Sequence, residues 1–302
     1  MKSPIRSSWR LLPLRASCLA ALTLLAFPPH QAAAARLKEP TVAAWEGYVQ
    51  KVVAAVEARR KGQTTFLWAD EQPAFAQRIR AGEILVSPAA REGALEVPDG
   101  LIHHWVGTVF IPGARLDGAT GVLSDYDRYA EYFPPFIRAA KLTRRAPGRF
   151  WFSMRWYKKV HALSATIDTE WDSHMTQVTG ARAYSLARAV SVREIRQAGG
   201  PQESALPPGE GSGFVWRACN ITRFEERDGG VVLEMETLLL SRDAPVVLRW
   251  LVYPIIRGVS KDWLGTTLRQ ARDAVLGSVS GGSVVARGLL YEPKETRANA
   301  GR

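Results

Sequence analysis

The chain has 302 residues, 46% hydrophobic and 23% charged, with 40 Lys and Arg against 29 Asp and Glu for a net charge of +11. This composition excludes wholesale disorder, collagen-like repeats and coiled coil, and two cysteines exclude a disulfide scaffold or a Cys-rich zinc module. Taken alone, the positive balance points to polyanions such as nucleic acid or an anionic membrane surface.

Residues 1–35 read as an export signal. Lys2, Arg6, Arg10 and Arg15 form a basic start, Cys18 to Phe27 is an apolar core, and Ala32 to Ala35 offers an A-x-A cleavage site. The core is shorter than the roughly 20 residues a membrane span needs. Cleavage is expected just before Arg36, which places the protein in the periplasm or outside the cell; an uncleaved anchor is the other reading. Removal leaves 36 basic against 29 acidic residues, a net +7, and Cys219 as the remaining thiol. An exported protein with no long basic run has no call on nucleic acid as a partner.

Residues 36–98 form a mainly helical extension. Thr41 is the expected N-cap of a helix whose Val42, Trp45, Val49, Val52, Val53 and Val56 recur at helical spacing up to Arg59-Arg60-Lys61-Gly62. A short helix over Pro73–Ala81 and a strand near Glu83–Val86 follow. Leu101–Ile111 is a strand, and Asp117–Phe133 reads as two short helices broken near Asp125. Strands are expected at Phe136–Thr143, Arg149–Lys158, Val160–Trp171, Arg182–Arg196, Phe214–Glu226 and Val231–Leu240, with a loop over Gly199–Gly213. Ala244–Leu276 is a long helix with a kink at Pro254, its apolar stripe running Leu248, Leu251, Val252, Ile255, Val259, Trp263, Ala271, Val275. A main domain over 99–277 and a disordered tail over 278–302 complete the chain.

Alternation gives each strand two faces. A type I′ turn at Asp228-Gly229 sets Arg223 opposite Glu234 and Ile221 opposite Glu236. The face with Arg217, Arg223, Glu225, Glu234 and Glu236 reads as solvated ion pairs. The other carries Trp216, Ala218, Asn220, Thr222 and Phe224 against Leu233, Met235, Thr237 and Leu239. A turn at Lys158-Lys159 places Phe150, Phe152, Met154 and Trp156 on one face with His161, Leu163, Ala165 and Ile167. The expected sheet is therefore covered on one side only, by the C-terminal helix.

This order of elements resembles the helix-grip fold, and the residues resemble the START/polyketide-cyclase (SRPBCC) superfamily, especially its coenzyme-Q-binding-like bacterial branch. The segments that carry the resemblance are HHWVGTVFIPGA (103–114), GVLSDYDRYAEYFPPFIRAAKLTRR (121–145) and FVWRACNITRFEERDGGVVLEMETLLLSRDAP (214–245), with the terminal helix. It implies an α+β fold, a curved antiparallel sheet wrapped around a long C-terminal helix. It also implies a cavity between the two for a lipid, sterol, quinone or polyketide, and it carries over no catalytic residue.

The residues expected to line that cavity are Phe152, Met154, Trp156, His161, Trp216, Asn220, Thr222, Met235 and Trp263; a plain packed core is the other reading of the same stripe. No metal, nucleotide or cofactor motif is present. His103 and His104 are adjacent on a strand and point to opposite faces, so they cannot chelate one ion together. Asp125 and Asp127 read as turn and capping residues. Cys219 lacks an evident His partner. Arg249, Trp250, Tyr253 and Arg257 form a flank of the last helix suited to peripheral contact with anionic headgroups, a solvated face being the alternative. The expected function is an exported START-like protein that binds or shuttles a hydrophobic small molecule or lipid. A cyclase/aromatase-type enzyme using the same cavity is the alternative, and a partner-binding module built on the extension is a third reading.

Overall fold

The computed structural model describes residues 35–160, 163–243 and 249–280, with the side chains of 91, 159, 160, 163, 249–257 and 280 outside the description. Residues 1–34, which hold most of the expected export signal of 1–35, His161, and residues 281–302, which hold most of the expected tail, lie outside the described residues.

A ten-stranded antiparallel sheet organises the chain. Its main strands are β2 (Leu85–Pro88), β4 (Gly100–Pro112), β5 (Ile137–Ala146), β6 (Arg149–Val160), β7 (Leu163–Thr179), β8 (Arg182–Arg196), β11 (Arg217–Arg227) and β12 (Gly230–Arg242). They run in the order β2-β4-β12-β11-β8-β7-β6-β5. Long β4 carries two short strands on its free edge: β2 opposite Trp105–Thr108, and β3 (Ala94–Val97) opposite Gly100–His103. The extension thus contributes strands to the same sheet, of which the sequence reading had only one. The Gly199–Gly213 segment holds two further short strands, β9 (Ser204–Ala205) on β8 and β10 (Glu210–Gly211) on β1 (Ala35–Arg36).

The β11–β12 hairpin has the expected register, Arg223 opposite Glu234 and Ile221 opposite Glu236. Asp228 and Gly229 both take positive φ, 55° and 77°, which a type I′ turn requires. The β6–β7 hairpin does not turn at Lys158-Lys159. Val160 pairs with Leu163, so the connection is residues 161–162 and Phe152 faces Trp171. The turn moves by three residues, so each partner moves by six, an even number, and the alternation survives although every partner changes.

Helix α5 (Arg249–Ser280) covers one face of the sheet, called inner here. Leu264, Leu268, Ala271 and Val275 are fully buried against Val109, Ile111, Leu233 and Phe224. The expected stripe contained Ala271 and Val275 but omitted Leu264 and Leu268. Those two leucines sit over Gly107, where a Cβ would stand 2.6 Å from Leu268 Cδ1. Glycine at that one position lets the helix approach β4 closely.

The other face is covered too, which corrects the expectation of a one-sided sheet. Helix α1 (Glu39–Arg60) buries Trp45, Val49 and Val56 against Ile102, Cys219, Ile221, Val232, Leu238 and Leu240. Each such side chain contributes about 1.5–3 kcal/mol of burial. Thr41 is not the cap of this helix: it lies inside the first turn, fully buried, and its hydroxyl donates to Pro98 O at 2.7 Å. Arg223, Glu234 and Glu236, expected as solvated ion pairs, lie beneath this layer at 2%, 0% and 9% exposure. Arg223 donates to Glu234 Oε1 at 2.9 Å and to Glu236 Oε2 at 2.5 Å. Glu234 also accepts the backbone N–H groups of Trp68 and Ala69, both at 3.0 Å. His104 Nε2 donates to Glu236 Oε1 at 2.7 Å, and its Nδ1 is hydrogen-bonded to the Tyr48 hydroxyl at 2.8 Å. Burial pushes the Glu236 carboxyl up, but the His104 hydrogen bond and the Arg223 charge outweigh it and hold it at about 2. The alternation alone could not tell water from a helix lined with complementary donors.

Two short helices, α3 (Leu116–Val122) and α4 (Tyr129–Tyr132), close one end of the inner face, with a turn of 3₁₀ at Tyr126–Arg128 between them. A six-residue helix, α2 (Phe75–Arg80), lies in the extension.

Candidate functional site

The candidate site is the inner face between its two flanks. Antiparallel register aligns its side chains in rows. One row runs Trp105, Thr237, Asn220, Ala187, Ser173, Phe150, and the next runs Gly107, Met235, Thr222, Ser185, Met175. In the first row Trp105 and Phe150 stand at the flanks with small residues between them; the second runs from Gly107, where the helix sits, through Thr222 and Ser185 to Met175. Ala218, Asn220 and Thr222 on β11 meet Ser185, Ala187 and Ala189 on β8.

The described side chains of helix α5 do not fill the middle of these rows. Its buried leucines lie over β4, and its Trp263 reaches the far flank, where it stacks on Trp156 at 6.2 Å between ring centroids. Asn220, Thr222, Met235, Leu239, Ser185, Ala189, Trp156 and Trp263 are all half-buried although they lie under or in this helix. A close-packed core would bury them.

The far flank is a row of aromatic rings. Tyr126 stacks on Phe152 at 3.8 Å, Phe152 is parallel to Trp171 at 6.0 Å, and Trp171 continues to Trp156 at 5.9 Å and so to Trp263. Polar anchors fix some of these rings. Trp171 Nε1 donates to Thr169 Oγ1 at 2.8 Å, and the Tyr126 hydroxyl donates to Ser173 Oγ at 3.3 Å. Burial pushes the Tyr126 phenol up to about 12.

Of the residues expected to line the site, Phe152, Met154, Trp156, Asn220, Thr222, Met235 and Trp263 share this face or the helix over it. Trp216 does not. It precedes β11, its backbone N–H bonds Leu240 O, and its ring packs at 3% exposure in the cluster under α1. The alternation read for the strand does not extend back to it. His161 lies outside the described residues, as do the side chains of Arg249, Trp250, Tyr253 and Arg257, although their backbone belongs to α5. The sequence reading missed Tyr126 and Trp171. Trp171 could have been found by continuing the odd-numbered alternation through Ile167 and Thr169; Tyr126 arrives from a helix junction with no such signal.

His103 points inward, with Nε2 at 2.8 Å from Ser241 Oγ, while His104 points outward, as adjacency on a strand requires. Burial lowers the His103 pKa to about 4, so it is neutral near pH 7. Asp127 Oδ1 accepts the Leu142 backbone N–H at 2.9 Å, which ties the helix junction to β5 instead of capping a turn, and Asp125 makes no side-chain cap. Burial raises the Asp125 pKa. His174 is exposed beside Asp172 at 3.4 Å. Cys219 faces α1 rather than the inner side, and burial pushes its thiol up to about 12. Among the described residues, no cluster of three or more His, Cys, Asp or Glu is arranged to hold a metal ion.

No family model matches the sequence, and no curated protein matches it. Solved structures do. An aromatase/cyclase, Zhui from Streptomyces sp. R1128, is 16% identical with a TM-score of 0.43, over 61% of this chain and 99% of its own. A STAR-related lipid transfer protein fragment from Xanthomonas axonopodis is 12% identical with a TM-score of 0.43, over 64% and 98%. Human STARD10 is 9% identical with a TM-score of 0.41, over 70% and 82%. The helix-grip fold of this chain is read from its own strand order and the placement of α5.

Proposed function

We propose that this protein binds a hydrophobic small molecule or lipid between the inner face of its sheet and helix α5, and that it does so as an exported carrier. The observation that carries the reading is the run of small side chains in the middle of the inner face, of which Ser185, Ala189, Asn220 and Thr222 stay half-buried beneath a long helix. Aromatic rings on one flank and aliphatic side chains on the other supply apolar contact, worth about 25 cal/mol per Å² of ligand surface buried. Asn220 and Thr222 give the polar end of a ligand something to bond. Export is supported by the leader pattern of residues 1–35 alone.

The test is native mass spectrometry of the purified full chain, before and after organic extraction, together with a filled-in variant, Thr222→Trp. The expected result is a co-purifying or reconstituted hydrophobic ligand at one per chain, lost in Thr222→Trp while the unfolding midpoint holds. A wild-type chain that takes up no hydrophobic ligand would sink the proposal. N-terminal sequencing of the protein from its host checks export: a chain still beginning at Met1 counts against it.

A further inference from the structure

We infer that the ligand of this site is uncharged and presents a hydrogen-bond acceptor, such as a carbonyl, ester or ether oxygen, to the Asn220 region of the inner face. This rests on the reading of the inner face as a binding site and narrows what it takes.

Charge distribution is the first observation. Among the described residues, the inward positions of β4 and β12 carry no Asp, Glu, Lys or Arg; β11 carries one, Glu226 at its β12 hairpin end, held by Arg115 at 3.0 Å and the Leu116 backbone N–H at 2.7 Å; and those of β6, β7 and β8 carry none until the β6–β7 hairpin end. There Glu194 is occupied by the backbone N–H and hydroxyl of Ser212, at 2.8 and 2.6 Å. Lys158 stands over the Phe136 ring at 4.6 Å, in the field of Asp262. The ion pairs of the sheet, Arg149–Asp172, Arg155–Asp168, Arg182–Glu225 and Arg223–Glu234, all lie on the opposite face. That opposite face shows how this chain treats a charge it buries: Glu234 receives an arginine and two backbone N–H groups. A carboxylate or phosphate placed against Asn220 and Thr222 would find no such counter-charge among the described residues. Burying an unpaired ion is among the most costly events available to a protein. His103 offers none either, since it is neutral near pH 7.

The second observation is a surplus of donors. Asn220 Oδ1 already accepts the Thr237 hydroxyl at 2.8 Å, which leaves the amide N–H₂ to bond something else. Thr222 and Ser185 sit directly opposite one another beside it. On the aromatic flank the Trp156 indole N–H is buried without a partner. A neutral ligand with an acceptor oxygen matches this set, and a pure hydrocarbon leaves it unmatched. The parallel rings of Phe152, Trp171 and Trp156 favour a flat, conjugated or ring-bearing skeleton alongside.

A matched pair of probes tests the class: methyl retinoate, neutral with an acceptor carbonyl, and retinoate, the same skeleton with a negative charge. Each is titrated into the purified full chain at pH 8, with tryptophan fluorescence as the readout and native mass spectrometry to confirm one ligand per chain. The ester is expected to bind about a hundredfold or more tighter than the anion. In Asn220→Leu the ester is expected to weaken about two- to tenfold, with the far-ultraviolet circular dichroism unchanged. Thr222→Val gives a second reading of the donor claim if Asn220→Leu fails to fold. Equal or tighter binding of retinoate overturns the uncharged class while leaving the binding reading intact. Ester affinity unchanged in both variants overturns the acceptor claim. Failure of the ester, of retinoate and of every hydrophobic molecule tried in the mass spectrometer overturns the binding reading itself.

Discussion

His103 and His104 occupy adjacent positions and have opposite fates. His104 joins Tyr48, Glu236 and Arg223 under α1, and His103 is buried on the inner side with Ser241 as its partner. The folded pKa of His103 is about 4, against 6.5 for the free side chain, so the unfolded chain takes up its proton first. Stability is therefore full above pH 6.5 and falls as the pH drops from 6.5 toward 4, by about 3 kcal/mol in all. Urea midpoints across that range are expected to flatten in His103→Gln. A wild-type midpoint that stays level down to pH 4 would contradict the burial argument. Glu236 acts in a lower window: its folded pKa of about 2 preserves stability above pH 4.5 and loses it as the pH falls toward 2. The adjacency argument for the two histidines was available from the sequence alone, because strand geometry fixes it. Their partners were not, since Tyr48 and Ser241 lie far away in the chain.

At the scale of elements, local chemistry was legible wherever one signal sufficed. Asp228-Gly229 placed a hairpin and its register, because Asp-Gly supplies the two positive φ values of a type I′ turn, whose twist matches that of the strands. Lys158-Lys159 misled, because two lysines carry no conformational requirement, and the chain runs on to Val160 before the hairpin closes. Short strands β3, β9 and β10 had no alternation long enough to read. The seat of α5 was also only half legible: its 3.6-residue stripe was visible, but Gly107, the position that admits Leu264 and Leu268, has no side chain to advertise it. Gly107→Val is expected to lift the helix and cost about 1–3 kcal/mol in the denaturant midpoint. Glycine→alanine at Gly47, where a Cβ meets nothing, should do no such damage and serves as its control. Similar losses at both sites would show that the close approach at Gly107 does not matter.

For the molecule as a whole, the sequence supplied the helix-grip order and the apolar inner face, and it misjudged the outer one. Alternating Arg and Glu on β11 and β12 looks the same whether water or a helix lies above. Only the fold reveals that Trp68, Ala69, His104 and Tyr48 have come to meet those charges. The extension, residues 36–98, is therefore a layer of the domain, with Trp45, Val49, Val56, Phe66 and Leu67 in its core. Deletion of the extension is expected to abolish soluble, cooperatively folding protein, as measured by soluble yield and by the loss of a single thermal transition. A truncated chain that still folds cooperatively would show the extension to be an accessory. Cys219 sits at this seam, wholly inaccessible beneath α1, with a thiol held at about 12. A thiol reagent can reach it only in molecules whose outer layer has swung away. The rate at which the native protein takes up such a label, set against that of the denatured chain, thus clocks how often the two layers part, with no probe introduced.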